Sequence, residues 1–163
     1  MKIFCVGRNY AAHAKELGNA VPEAPVIFMK PDTAVLPKGV DFVYPSFTSD
    51  LHYEIELVLR VGKTAKNISA ANALSCVDAI TVGIDFTARD VQADLKAKGL
   101  PWEKAKAWDN SAIVGEWKPF NAESNADILF SLIKNGQTAQ SGTTQDMIYS
   151  FETLLEHISG YFT

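Results

Sequence analysis

From Leu51 to Val61 apolar and polar residues alternate without a break. Tyr53, Ile55, Leu57, Leu59 and Val61 fall on one side, and His52, Glu54, Glu56, Val58 and Arg60 on the other. A period of two over this length predicts a half-buried β-strand. Residues 79–85 form a second strand-like run that closes on Asp85, and Thr87-Ala88-Arg89-Asp90 after it has the form of a capping box. A helix is expected from Ala88 to about Lys98, with Arg89 and Gln92 sharing a face one turn beyond Asp85. Residues 1–6 and 26–29 read as short strands, 112–114 as another, and Phe42-Val43-Tyr44 as a brief one. Asn9 is placed to cap a helix through Leu17, and Ser69 a short one through Cys76. Asn135-Gly136 between apolar runs signals a hairpin over about 128–138. Phe151, Leu154, Leu155 and Ile158 recur at helical spacing, which predicts an amphipathic helix stopped by Gly160.

Composition narrows the class. The 163 residues suffice for one domain with a core, and 47% hydrophobic and 21% charged residues are ordinary for a globular chain. A net charge of −4 and the lack of a basic run argue against a nucleic-acid partner. Cys5 and Cys76 are too few and too isolated for a disulfide framework, so a reducing compartment is the default. No apolar stretch is long enough to span a membrane, and residues 3–6 are too short for a signal-peptide core. The expectation is a cytoplasmic protein with no membrane partner.

The candidate chemistry begins on the first strand. Its rise sets Glu54 and Glu56 roughly 6.5 Å apart on one face. Like charges at that range repel by about 2.5 kcal/mol at an effective dielectric of about 20. Either the face is solvated, with Arg60 or a neighbouring lysine absorbing the charge, or a shared divalent cation binds there. Asp85, at the end of another strand, would supply a third carboxylate to such a site; otherwise it helps to begin a turn. In the first helix His13 and Glu16 stand three apart, as a solvated pair or as a carboxylate that polarises an imidazole into a general base. Arg89 and Gln92 offer donors suited to a carboxylate; alternatively Arg89 pairs with Asp90 or Asp94 on a surface helix.

His52-Tyr53-Glu54-Ile55-Glu56, followed by Gly83-Ile84-Asp85-Phe86-Thr87-Ala88-Arg89-Asp90-Val91-Gln92, resembles the fumarylacetoacetate hydrolase family. Gly7-Arg8-Asn9-Tyr10, Lys98-Gly99-Leu100-Pro101-Trp102 and Thr143-Thr144-Gln145-Asp146-Met147-Ile148 look like the same family in the same order. The likeness is to its small single-domain members, the acylpyruvases and oxaloacetate decarboxylases. It implies an α+β fold: mixed, strongly bent β-sheets in a barrel-like core, with a few short peripheral helices. It implies one catalytic domain over 1–163, a lid segment at about 9–25, and a homodimer. Family members continue past the position of Thr163 through a Gly-Thr-Pro loop and further strands, so the C-terminal part of the domain is expected to be missing here.

The resemblance also assigns roles. Glu54, Glu56 and Asp85 would hold Mg²⁺, or alternatively Mn²⁺ or Ca²⁺. His13, Glu16 and Lys106 would be catalytic, while Arg8, Arg89, Gln92 and Thr144 would bind a small 2-oxo acid. Lys104 reads as solvated, and Lys30, in a Lys-Pro that family members share, receives no role. The implied reaction is metal-dependent hydrolysis of a C–C bond in an acylpyruvate. Oxaloacetate decarboxylation, or isomerisation or hydration of a related oxo acid, is the alternative. A non-enzymatic domain with a structural cation is the rival, but such a cation needs no convergent donors like Arg89, Gln92 and Lys106 around it.

Overall fold

The 12-residue strand β4, Val77–Ala88, is buried along nearly its whole length, on both faces. That accounts for its near-continuous apolar sequence, since a strand with neighbours on both sides and cover on both faces has no use for a polar alternation. The computed structural model describes residues 1–10, 22–122 and 127–163. In its main sheet the order is β3 (Leu51–Val61), β4, β5 (Ala112–Val114), with β6 (Lys118–Pro119) also paired to β4. Two further sheets have two strands each: β1 (Ile3–Gly7) with β2 (Val26–Lys30), and β7 (Leu129–Lys134) with β8 (Gln137–Thr143). Among the described residues there are also four short α-helices: α1 (Ala70–Ala73), α2 (Arg89–Ala97), α3 (Glu103–Lys106) and α4 (Phe151–Tyr161).

The α+β class holds. Among the described residues no sheet closes on itself. β5 and β6 are too short to extend the main sheet, because each pairs with only a few residues of β4. Phe42-Val43-Tyr44 forms no strand. No helix among the described residues is long and apolar enough to cross a membrane.

The chain divides into two compact units. The first comprises Met1–Cys5, Phe28–Val58 and Val82–Glu116. Its buried apolar residues include Ala34, Phe86, Ala88, Leu95, Ala105 and Ala112, but it also buries Lys30, Asp85, Thr87, Gln92, Lys106 and Ser111. Such polar burial needs partners, and marks where chemistry is to be sought. The register of β4 on β5 sets Asp85 opposite Ala112, and Phe86 N–H donates to the Ser111 carbonyl at 2.9 Å. Gly83 makes this pairing feasible. A Cβ there would lie 2.6 Å from the Ile113 carbonyl oxygen and 2.9 Å from Val58 Cγ2.

The second unit comprises Val6–Ile27, Leu59–Thr81 and Trp117–Thr163. Its β7–β8 hairpin turns on Asn135 and Gly136, both at positive φ, as the Asn-Gly signal requires. Helix α4 starts at Ser150, whose hydroxyl accepts from Thr153 N–H, and it runs through Gly160 to Tyr161 instead of stopping at the glycine. The Ser69 segment is helical only to Ala73 and then tightens into a 3₁₀ turn, Leu74–Cys76. Asn9 is buried, and both ends of its amide are bound by Tyr149: Nδ2 donates to the carbonyl at 3.0 Å and Oδ1 accepts from N–H at 2.8 Å. The helix that Asn9 is expected to cap lies outside the described residues. Tyr149 Oη also donates to the Pro22 carbonyl at 2.7 Å.

Candidate active site

Strand β3 is not a solvated ribbon with one wet face; residues 53–59 are all half-buried. Glu54 leaves only 15% of its side chain exposed, too little for water alone to carry its charge. Two cations do so instead. Lys106 Nζ lies 2.8 Å from Glu54 Oε2, and Arg89 Nη2 lies 2.5 Å from Glu54 Oε1.

Lys106 is delivered by the single turn of α3 and is buried at 4% exposure. Its three donors have three acceptors: Glu54 Oε2, Asp85 Oδ2 at 2.7 Å and Thr87 Oγ1 at 2.6 Å. The Phe28 ring lies 5.2 Å from the same nitrogen. Burial alone would lower the Lys106 pKa, but Asp85 and then Glu54 outweigh it and hold the ammonium above its ordinary value. Thr87 is thus a site residue and not a helix cap. β4 runs on to Ala88, Ala88 is the N-cap position, and no side chain caps the helix there.

Asp85 stands three residues before the end of β4 and faces a second lysine. Lys30 Nζ is 2.9 Å from Asp85 Oδ1, with its side chain 1% exposed. Its hydrogen bonds go to the Lys106 carbonyl, the Ser111 carbonyl at 3.1 Å and Ser111 Oγ at 2.9 Å. Asp85 Oδ1 therefore has the charge beside it but no hydrogen bond, and it is the one buried side-chain oxygen or nitrogen so left among the described residues. Burial pushes the Lys30 ammonium below its usual range, and Asp85 opposes that.

Arg89 opens α2, with Nη1 donating to Gln92 Oε1 at 2.6 Å and Nε to His52 Nδ1 at 3.4 Å. Asp90 does not pair with it. That carboxylate accepts from Thr48 Oγ1 and from Ser49 N–H, which hold it at about 2, and Asp94 pairs with Lys98. Lys104 is exposed, as expected. The first unit therefore brings together Glu54, Asp85, Arg89, Gln92 and Lys106, with Glu56 close enough to feel both acids. Arg8, at φ 61°, and Thr144, whose hydroxyl accepts from Ile128 N–H at 2.9 Å, belong to the second unit. His13 and Glu16, with most of the 9–25 segment, lie outside the described residues. Lys30, Thr87, Ser111 and the His52–Asp50 pair were missed as site residues. The one cue was a lysine ending an apolar strand directly before proline.

Glu56 has its pKa pushed up to about 8, by burial first and then by Asp85 and Glu54. The folded chain thus holds this proton more tightly than the unfolded one does. The stabilisation that follows is complete below about pH 4.5 and is lost as pH rises through about 8. Metal-stripped protein is expected to lose roughly 2–4 kcal/mol more than a Glu56→Gln variant does between about pH 5 and pH 9. Urea midpoints of both proteins across that range check it; parallel curves would contradict the shift.

The donor set is all oxygen, which suits a hard divalent cation, and Asp85 Oδ1 accepts no hydrogen bond although the Lys30 ammonium lies 2.9 Å from it. By these criteria Glu54, Glu56 and Asp85 fit a metal. As the side chains stand, however, no group of three or more His, Cys, Asp or Glu among the described residues is arranged to hold one. The Lys106 ammonium is the cation between Glu54 and Asp85 in this structure. With Glu56 protonated, the remaining ionic groups are Lys30, Lys106 and Arg89 against Glu54 and Asp85.

Residues 2–163 match the family described as fumarylacetoacetate (FAA) hydrolase, C-terminal. The mitochondrial oxaloacetate tautomerase of Arabidopsis thaliana is 43% identical over 163 residues, an alignment covering 99% of this chain and 73% of that protein. An oxaloacetate tautomerase of Escherichia coli is 41% identical, covering 99% of this chain and 75% of its own. The crystal structure of fumarylpyruvate hydrolase from Pseudomonas aeruginosa, in complex with Mn²⁺ and pyruvate, superposes with a TM-score of 0.91 at 37% identity, over 99% of this chain and 72% of that one. The chain spans about three quarters of the length of these relatives.

Proposed function

Because the chain belongs to the fumarylacetoacetate hydrolase family, we propose that it acts on small 2-oxo acids of the oxaloacetate type through their enol form, with a divalent cation held by Glu54, Glu56 and Asp85. The observation that carries this reading is the convergence of Lys106 and Arg89 on one half-buried carboxylate, Glu54, with Asp85 and Gln92 beside them. Arg89 and Gln92 supply a fork and an amide that suit a substrate carboxylate. Lys106, a buried cation above its ordinary pKa, sets a positive charge near the oxygen that gains charge as the substrate enolises. A bound divalent cation would supply Lewis-acid polarisation of the 2-oxo group. His13, oriented by Glu16, is the group we assign to proton transfer at the carbon next to it.

Acylpyruvate hydrolysis is the second reading, favoured by the likeness to fumarylpyruvate hydrolase. It would use the same cations, with His13 deprotonating an attacking water. Oxaloacetate decarboxylation is open to the same groups and needs no such water. The test is to assay the full-length protein on oxaloacetate keto–enol exchange, oxaloacetate decarboxylation and fumarylpyruvate hydrolysis, with Mn²⁺, with Mg²⁺ and after chelation. Metal-dependent keto–enol exchange faster than the other two is expected. Turnover of none of them with metal present would remove the reading.

A further inference from the structure

His52 is on the polar side of β3, two residues before Glu54, and 44% of its side chain is exposed. Its ring bridges two charged neighbours. Nε2 lies 3.1 Å from Asp50 Oδ1, and Nδ1 lies 3.4 Å from Arg89 Nε. A carboxylate accepts only, and a guanidinium donates only. The two partners therefore fix the neutral ring with its proton on Nε2, leaving Nδ1 as a bare acceptor for Arg89. Asp50 reaches Arg89 a second time, since Arg89 N–H donates to the Asp50 carbonyl at 2.8 Å. Next along α2, Asp90 accepts from Thr48 Oγ1, from Ser49 N–H at 3.0 Å and from Ser49 Oγ at 3.2 Å. The segment before β3 and the first turn of α2 are thus stitched together around one guanidinium. That guanidinium is held on three sides, by His52, Gln92 and Glu54, which use three of its five N–H donors.

We infer that His52, with its tautomer set by Asp50, is a positioning residue that aims the Arg89 fork at the substrate carboxylate. This rests on the reading of Arg89 as the carboxylate-binding residue. Arginine recognises a carboxylate through paired, coplanar N–H donors, so a rotation about the guanidinium axis spoils both bonds at once. Locking Nε removes that rotation before the ligand arrives and lowers the ordering cost of binding. His52 touches no substrate; its effect passes through Arg89.

Two near-isosteres separate this role from a merely structural one. Asparagine places its amide oxygen near the position of Nδ1 and can accept from Arg89. Glutamine places its amide group near Nε2 and can reach Asp50 but not Arg89. In the full-length protein, His52→Ala and His52→Gln are expected to raise KM for oxaloacetate, and the Kd for pyruvate measured calorimetrically with Mn²⁺, about tenfold. The expected change in kcat is less than about threefold. His52→Asn is expected to recover most of that loss. In metal-free protein, the Arg89 Nε–H resonance should exchange with water faster in the Ala and Gln variants and return to the parent rate in the Asn variant. Arg89→Met serves as the reference. If it weakens pyruvate binding while the three His52 variants bind like the parent, or all lose equally, the positioning role is overturned and the reading of Arg89 stands. If Arg89→Met leaves pyruvate binding unchanged, the reading of Arg89 falls, and the positioning role with it.

Discussion

Lys30→Met is expected to destabilise the protein by about 3–5 kcal/mol, the range for removing one partner of a buried ion pair. Methionine matches the length of the chain and keeps most of its packing, so the loss isolates the ammonium. Without it Asp85 retains only Lys106 as a counter-charge, and the Lys106 and Ser111 carbonyls and Ser111 Oγ lose a donor in a site with almost no access for water. Urea unfolding at neutral pH measures the loss; a cost below about 1 kcal/mol would mean that these groups are satisfied without Lys30. The double variant Lys30→Met/Asp85→Asn should recover part of the loss, because it removes the buried carboxylate charge that has lost one of its two counter-charges. Ser111→Ala should cost less than either charge, since it removes one neutral hydroxyl from the same network.

The importance of Lys30 could not be read from the sequence, because burial of a charge is a tertiary fact. Val26 to Met29 read as a short strand, and the lysine that follows looks like a strand end turned to water. It is covered instead because the chain after α3 returns, through Lys106 and Ser111, with three oxygens aimed at it. Periodicity had the same limit in β3. The alternation placed Glu54 and Glu56 on one face, but a period of two does not say how deeply either face is covered. Local signals fared better where the determinant is local. Asn135-Gly136 turned the hairpin, because both residues tolerate positive φ. The helical spacing of Phe151 to Ile158 formed α4, although Gly160 did not end it. Thr87 shows how a local rule fails: it has cap chemistry, and it is committed to a partner far along the chain. Arg89, Gln92 and Lys106 were proposed as site residues through motif resemblance. Their geometry then gave what the motif lacked, the shared carboxylate of Glu54 and the partner of each donor.

His13→Ala is expected to lower oxaloacetate keto–enol exchange and fumarylpyruvate hydrolysis by about 10²–10⁴-fold, while oxaloacetate decarboxylation falls much less. No described residue of the site is a suitable base. Glu54 and Asp85 are ion-paired, Lys106 is held protonated by both, and Glu56 is assigned with them to the cation. His52 Nδ1 is occupied by Arg89. Exchange requires that a proton leave the carbon beside the carbonyl, and hydrolysis requires that one leave water, so both need a base from elsewhere. His13, three residues before Glu16, is the candidate in the sequence whose unperturbed pKa suits neutral pH. Decarboxylation expels carbon dioxide and leaves the electron pair on the substrate, so its rate depends on stabilising the enolate oxygen and not on removing a proton. All three rates measured on one full-length variant decide the matter. A loss shared equally by the three would assign His13 to binding or ordering of its segment, and selective loss of the two proton-transfer reactions would identify it as the base.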